Sequence, residues 1–180
     1  ASRRGLIQVL GRMKILLTSI AASLCAIVVQ PAVLFLWLVF PDVLSGDAFP
    51  WHSLGAIFFY SALFATPFVL LFGLPLSLIL WRAGQFKWWI LAVAGVLAAM
   101  VVTAWDLPGG DSGYSSGGSW NGQYVEFVVA GVPTVYGWLN YFRSIAIFAL
   151  HGLTGATVYY FVWVSVLRPN KSFKPTPLRG

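Results

Sequence analysis

The sequence predicts an all-α membrane protein, a four-transmembrane-helix bundle with a long periplasmic loop between helices 3 and 4. Three observations predict this fold: the composition, four uncharged apolar stretches, and the separation of positive from negative charges along the chain. Of the 180 residues, 59% are apolar and 9% are charged, whereas soluble domains have about 45–50% apolar and about 25% charged residues. This composition excludes a water-soluble monomer. It also excludes a disordered chain, because disordered chains are poor in apolar and aromatic residues.

Four stretches of the chain contain no Asp, Glu, Lys or Arg: residues 15–40, 54–80, 88–105 and 144–167. A transmembrane helix needs about 20 mostly apolar residues to cross about 30 Å of hydrocarbon. Helices are predicted because lipid offers no hydrogen-bond partners to the backbone. The four stretches are therefore predicted to be membrane spans of one domain, residues 13–168.

The distribution of charge predicts the orientation of these spans. Ten of the eleven basic residues lie before the first span, between the second and third, or after the fourth, and Arg143 is the exception. All five acidic residues lie on the same side as Arg143. By the positive-inside rule, both termini are predicted to be cytoplasmic. The net charge of +6 predicts contact with the lipid bilayer and not with nucleic acid.

Both ends of the chain are unlike the apolar region between them. Met13 and the lysine after it look like a natural start, and residues 1–12 have no clear role before it. The heptapeptide Gly5-Leu6-Ile7-Gln8-Val9-Leu10-Gly11 resembles the 3′ half of a translated integron gene-cassette recombination site, and the tail 170–180 resembles the 5′ half. This resemblance implies a bacterial mobile cassette, and the spans are therefore expected to lie in a bacterial inner membrane. Residues 1–12 are then a non-native or read-through leader, and 169–180 a disordered basic tail. The alternative is an ordinary basic leader and a Pro-rich tail.

The body of the chain around residues 72–89 resembles uncharacterised small multi-pass inner-membrane proteins of proteobacteria, and this resemblance implies no activity. Four short spans on a mobile cassette also invite comparison with the small multidrug exporters, whose coupling depends on a membrane-embedded Glu in the first helix. The first predicted span has no acidic residue. That class of transporter is therefore excluded.

Two polar residues inside the predicted spans, Gln30 and His151, are candidates for a packing role or a pore lining. An ionisable residue within a span commonly marks function, and imidazole titrates near neutral pH. His151 has no second histidine or acid three or four residues away. We therefore interpret it as a neutral side chain bonded to a neighbouring helix, and a pore lined by both residues is the alternative.

Prolines and glycines predict the local shape of the spans. Pro31, Pro67 and Pro75 predict kinks because each removes one amide donor from its helix. Gly152 and Gly155 give the fourth span a small-residue face. This face predicts close helix packing within the chain, with a homo-oligomer contact as the alternative.

The loop 106–142 is the longest predicted connection. Its first part, up to residue 122, is rich in Gly, Ser and Asp, which predicts a flexible linker. Its second part, 124–142, is apolar and aromatic and is predicted to lie on the membrane surface, to re-enter the membrane or to form a lid. Four residues of this part are predicted to contact a protein partner: Pro133, Tyr136, Trp138 and Tyr141.

No catalytic, cofactor-binding or metal-ligating residue is predicted. The sequence has no His-Glu-x-x-His zinc motif, which metalloproteases use. Its single cysteine, Cys25, cannot form an internal disulfide. The leading functional prediction is a non-enzymatic inner-membrane accessory or interaction protein, a stress, defence or immunity factor of a mobile cassette. The alternative is an oligomeric pore or small-solute facilitator.

Overall fold

The computed structural model describes residues 3–44 and 51–167, and most of these residues are helical. The α-helices are α1 (Arg3–Val28), α2 (Gln30–Leu34), α3 (Phe40–Leu44), α4 (Leu54–Phe68), α5 (Leu74–Arg82), α6 (Trp88–Ala104) and α7 (Val135–Leu167). Two π-helical stretches, Phe35–Val39 and Val69–Gly73, and a 3₁₀ turn, Trp51–Ser53, adjoin them. The predicted tail, 169–180, lies outside the described residues.

Several of these helices follow one another almost without a break. We call 3–44 the first helical segment and 51–82 the second. Within residues 3–44 and 51–167, three stretches are long and apolar enough to cross a membrane: Met13–Trp37, Trp51–Arg82 and Val135–Leu167. They coincide with the first, second and fourth predicted spans, and α6 is a shorter apolar helix of 17 residues at the third. From Arg3 onward the predicted leader is continuous with α1, and its gene-cassette origin stays a prediction.

A three-stranded antiparallel sheet between α6 and α7 corrects the all-α prediction. Its strands lie side by side in chain order: β1 (Ser116–Trp120), β2 (Gln123–Val129) and β3 (Val132–Pro133). Asn121 and Gly122 join β1 to β2 with φ angles of 50° and 78°. Positive φ at both central residues is what a two-residue type I′ hairpin requires, and Asn-Gly favours it. Ala130 and Gly131, with φ angles of 48° and 84°, join β2 to β3 in the same way.

The sheet also changes the interpretation of the 106–142 connection. The predicted flexible linker contains β1, and the predicted surface-lying, re-entrant or lid segment divides into β2, β3 and the first turns of α7. The Asn-Gly turn explains the difference, since it pairs the glycine- and serine-rich β1 with β2. In this register Gly117 is opposite Glu126 and Ser119 is opposite Tyr124.

The type of helix changes close to the three prolines for which kinks are predicted. α1 ends at Val28, and α2 begins at the Gln30-Pro31 pair, where proline lacks the amide hydrogen that would continue the helix. In the second segment, Pro67 and Pro75 flank the π-helical stretch Val69–Gly73. Proline and π-bulges are both established causes of helix kinks.

A close helix contact joins α6 to α7 at Gly95 and Gly152. A Cβ atom added to Gly95 would lie 2.6 Å from the carbonyl oxygen of Gly152 and 2.9 Å from Cβ of Ala156. Gly155 faces the first segment instead, where an added Cβ would lie 2.8 Å from Nε2 of Gln30. The small-residue face predicted for the fourth span therefore makes close helix contacts within the chain.

The remaining packing leaves the second segment partly apart from α6 and α7. The first segment packs on α7 through a buried cluster of Ala22, Ala26, Tyr159 and Trp163. The second segment packs mainly against the first. A hydrogen bond of 2.6 Å between the Ser77 and Tyr159 hydroxyls ties it to α7 at one end. Beyond that bond, a space remains between the second segment and the α6–α7 pair.

Candidate functional site

The space between the second helical segment and the α6–α7 pair is a cavity of about 610 Å³. Its walls are apolar and include Phe64 and Phe68 of the second segment and Ala94 and Ala98 of α6. It is partly open at the protein surface. Sequence reasoning missed this cavity, because the divergence of two helices is not visible in the hydropathy of either helix.

Gln30 and His151 form a polar corner of the cavity. Nδ1 of His151 lies 2.6 Å from Oε1 of Gln30, across the contact between the first segment and α7. Nε2 of Gln30 donates to the carbonyl oxygen of Ala26 at 2.9 Å and also approaches that of His151 at 3.4 Å. These two acceptors fix the orientation of the amide, because only its nitrogen can donate to them.

This orientation determines which nitrogen of His151 carries the proton. The amide oxygen of Gln30 is an acceptor only, so Nδ1 must donate to it. In the neutral imidazole, Nε2 is then the acceptor. Within the described residues no hydrogen bond reaches Nε2, and His151 lines the cavity. The corner therefore offers a hydrogen-bond acceptor to whatever occupies the cavity.

Hydroxyl and aromatic contacts join the helices near Tyr159, one of the residues that line the cavity. Ser77 donates to the carbonyl oxygen of Leu74 at 2.8 Å, so Tyr159 is the donor in the Ser77–Tyr159 bond. Tyr159 also stacks on Trp163, with ring centroids 5.9 Å apart. Phe86 packs on the same tryptophan at 5.0 Å. These contacts hold the second segment, α7 and the residues before α6 together near Tyr159.

Charge is absent from the lining of the cavity in the part of the chain that the structure describes. The lining residues include no Asp, Glu, Lys or Arg. Throughout residues 3–44 and 51–167, no group of three or more His, Cys, Asp or Glu is placed to hold a metal ion. The cavity therefore suits an uncharged apolar occupant.

Residues 113–117 have the Gly-x-Ser-x-Gly spelling of a nucleophile elbow, but not its structure. That motif works at a sharp turn between a strand and a helix. Ser115 instead precedes strand β1, and its Oγ accepts a hydrogen bond from the amide of Ala130 at 3.0 Å. This serine stabilises the second hairpin turn.

The sheet and the first turns of α7 form a second candidate site, which we call the head, residues 106–142. Thr134 connects its two parts. Its Oγ1 donates to the carbonyl oxygen of Glu126 at 2.6 Å and accepts from the amide of Gly137 at 3.2 Å. The second bond is a helix N-cap for α7. Gly137 is buried, and its Cα lies against the backbone of Phe127, where no side chain would fit.

Arg143 attaches the head to the first segment. Its guanidinium lies 5.5 Å from the ring centroid of Trp37 and 5.6 Å from that of Trp120. Both distances are within the range of cation–π attraction. Tyr141 adds a hydrogen bond of 3.1 Å from its hydroxyl to the carbonyl oxygen of Ala104, at the end of α6. The head is therefore braced against three helical parts of the chain.

The four predicted contact residues differ in exposure and in their neighbours. Pro133 is half-buried in β3, and Tyr136 lies beside Trp120 with ring centroids 6.1 Å apart. Tyr141 is engaged with α6, as described above. Trp138 is exposed and stacks on Phe142 at 6.1 Å. Of the four, Trp138 and Tyr136 remain accessible to a partner.

The exposed face of the sheet was missed by the sequence reasoning. Gly117, Ser119, Tyr124 and Glu126 share this face and are all exposed, and Tyr124 is 77% accessible. Tyr124 lies across the strand pair beside Gly117, because glycine leaves room for its ring. The Asn-Gly pair followed by the 123–129 run is the signal that predicts such a hairpin.

Comparison of the chain with protein-family models, with curated proteins and with solved structures gave no match. The functional argument therefore depends on the geometry of the cavity and of the head.

Proposed function

We propose that this chain is a non-enzymatic bacterial inner-membrane interaction protein, whose head contacts a protein partner in the periplasm. The observation that carries the proposal is the braced sheet, which presents an exposed face that includes Tyr124. A rigid aromatic side chain contributes contact area at little cost in conformational entropy. Tyrosine is accordingly enriched among the residues that dominate binding at protein interfaces.

The bracing supports a contact role because the sheet does not need to become ordered on binding. Thr134, Arg143 and Tyr141 fix it to α7, to the first segment and to α6. Binding to a preorganised surface avoids the cost of ordering a loop. β1 is also an edge strand, and an edge strand can accept an added strand from a partner.

Charge supports the proposed orientation. Asp106, Asp111 and Glu126 belong to the head, whereas Arg82 ends α5, Lys87 immediately precedes α6, and Lys14 lies at the start of the apolar stretch Met13–Trp37. The positive-inside rule then places the head in the periplasm and both termini in the cytoplasm. In this arrangement α6 is the third of four spans, and the cassette resemblance at the termini suggests a stress, defence or immunity role.

The cavity gives the pore alternative less support. Gln30 and His151, the polar residues proposed to line a path, bond to each other. The other cavity walls are mostly Phe, Ala, Leu and Val. Ion paths are usually lined by backbone carbonyls or charged side chains. These features favour an interaction protein over a conducting one.

Photo-crosslinking in living cells tests this function. A photoreactive phenylalanine derivative replaces Tyr124 in the head, and in a matched control it replaces Tyr60, an exposed tyrosine of α4. We expect one defined protein adduct from position 124 and none from position 60. Adducts that are the same at both positions, or only with lipid, would overturn the proposal. A carboxy-terminal reporter that is active in the periplasm would overturn the orientation.

A further inference from the structure

We propose that the cavity between the second segment and the α6–α7 pair is a binding site for one uncharged, long-chain lipid alcohol, whose hydroxyl donates a hydrogen bond to Nε2 of His151. This site is separate from the proposed contact surface on the head, and it assigns a ligand to a part of the molecule that the proposed function leaves unused.

The size and walls of the cavity define the apolar part of the ligand. A volume of about 610 Å³ falls in the range of about 300–1,000 Å³ that is typical of small-molecule sites. The lining combines rings from the second segment with small residues from α6, so a flexible hydrocarbon chain can lie between them. Such sites bind the apolar body by burial and fix its orientation with a few polar groups.

The polar corner defines the head group. The Gln30 amide holds the His151 ring with Nδ1 as the donor, so that Nε2 is left as an acceptor toward the cavity. An acceptor selects a ligand that can donate, such as an alcohol. The described lining has no cation to pair with a carboxylate or phosphate and no anion to pair with an amine. A buried charge without a partner is costly, so an uncharged head group is favoured.

Access to the cavity is lateral. Phe64 and Phe72 line it and are also 67% and 54% exposed, so they form its rim. They flank Pro67 and belong to the segment that contacts α7 through Ser77. In a membrane this rim faces the hydrocarbon, and a lipid alcohol can therefore enter without crossing water.

Photolabelling of the full chain in lipid nanodiscs tests the proposal. The probe is hexadecanol that carries a chain diazirine and a terminal alkyne, and the matched probe is the same compound without the hydroxyl. We expect the alcohol to label peptides that line the cavity at least fivefold more than the alkane probe, with unlabelled hexadecanol competing. This comparison uses the wild-type chain alone. Equal labelling by the two probes, or no labelling of cavity peptides, would overturn the proposal.

Three variants test where the probe binds. His151→Phe keeps an aromatic ring but removes the acceptor, and it should lower labelling about fivefold, as expected for one hydrogen bond. Ala98→Phe fills the cavity and should abolish labelling. Leu97→Phe, at a neighbouring residue that is 58% exposed and lies outside the lining, should label like the wild type. Full labelling of Ala98→Phe would show that the probe binds elsewhere. None of these labelling results depends on the head. The ligand proposal can therefore fail while the proposed function stands, and the reverse is also true.

Discussion

Nδ1 of His151 donates a hydrogen bond to Oε1 of Gln30 over 2.6 Å, and this bond joins α7 to the first helical segment where Pro31 interrupts it. Gln30 is only 4% exposed. The bond requires no formal charge on either residue. The pair therefore satisfies two polar groups at a depth where water is scarce, and it makes the position of each helix depend on the other.

The first prediction concerns the energetic coupling of this pair. Gln30→Leu and His151→Phe should each lower the free energy of unfolding by about 1–3 kcal/mol, because each leaves a polar partner buried and unpaired. The double variant should lose less than the sum, with a coupling energy of about 0.6–1.7 kcal/mol, as for other hydrogen bonds between membrane helices. Denaturation by SDS in mixed micelles measures all four proteins.

Trp88 and Thr157 provide a comparison for the Gln30–His151 double-mutant cycle, which is formed by the wild type, the two single variants and the double variant. Nε1 of Trp88 donates to the hydroxyl of Thr157 at 3.2 Å in an exposed position. We expect a smaller coupling for Trp88→Phe with Thr157→Val, because solvent or lipid head groups can replace an exposed bond. Strict additivity in the Gln30–His151 cycle would show that the two side chains do not depend on each other.

A second prediction concerns the contact between α6 and α7. Gly152→Ala should destabilise the protein by about 1–3 kcal/mol, the usual cost of overpacking, because the added Cβ meets the backbone of Gly95. Gly55→Ala is the matched control, since nothing lies within 4 Å of its added Cβ. It should be neutral or slightly stabilising, as alanine is the better helix former. Thermal unfolding in detergent compares the two, and equal midpoints would contradict the close contact.

Some of this structure follows from hydropathy and some does not. The helices of spanning length were predictable because each needs a long run without charge, and Pro31 marks the interruption in the first of them. The hydrogen bond of His151 to a neighbouring helix was predicted, but its partner was not. Gln30 lies 121 residues away in the chain, and the sequence alone gives no register between the two helices.

The head was mispredicted for a different reason. Gly and Ser in β1 have low strand propensity, so this region was interpreted as a linker from its composition. Asn121-Gly122 is a strong local signal for a hairpin, and composition alone overlooks it. Pairing with β2 gives Gly117 a place beneath Tyr124. Tertiary context therefore decides the conformation of β1.

A third prediction concerns the junction of the sheet with α7. Thr134→Ala should cost about 0.5–2 kcal/mol of local stability, the usual effect of losing an N-cap side chain. It also removes the donor to the carbonyl oxygen of Glu126. Hydrogen exchange should accelerate in the Gly137 region and in β2. Thr134→Ser keeps the hydroxyl and should restore slow exchange, and an equal acceleration in both variants would assign the effect to the lost methyl group instead.

The last prediction concerns Arg143. It is the one Lys or Arg residue that is predicted to lie on the same side of the membrane as the five acidic residues. Arg143→Met keeps the length of the side chain but removes the charge that lies between Trp37 and Trp120. Cation–π contacts at exposed sites contribute about 0.5–1 kcal/mol each, so hydrogen exchange in β1 and β2 should accelerate severalfold. Arg143→Lys should recover part of the protection, because an ammonium keeps the charge but not the planar stacking.

If Trp120→Leu and Arg143→Met have fully additive effects on that exchange, the two side chains do not interact. A coupled effect would show that Arg143 holds the sheet through its contact with the Trp120 ring.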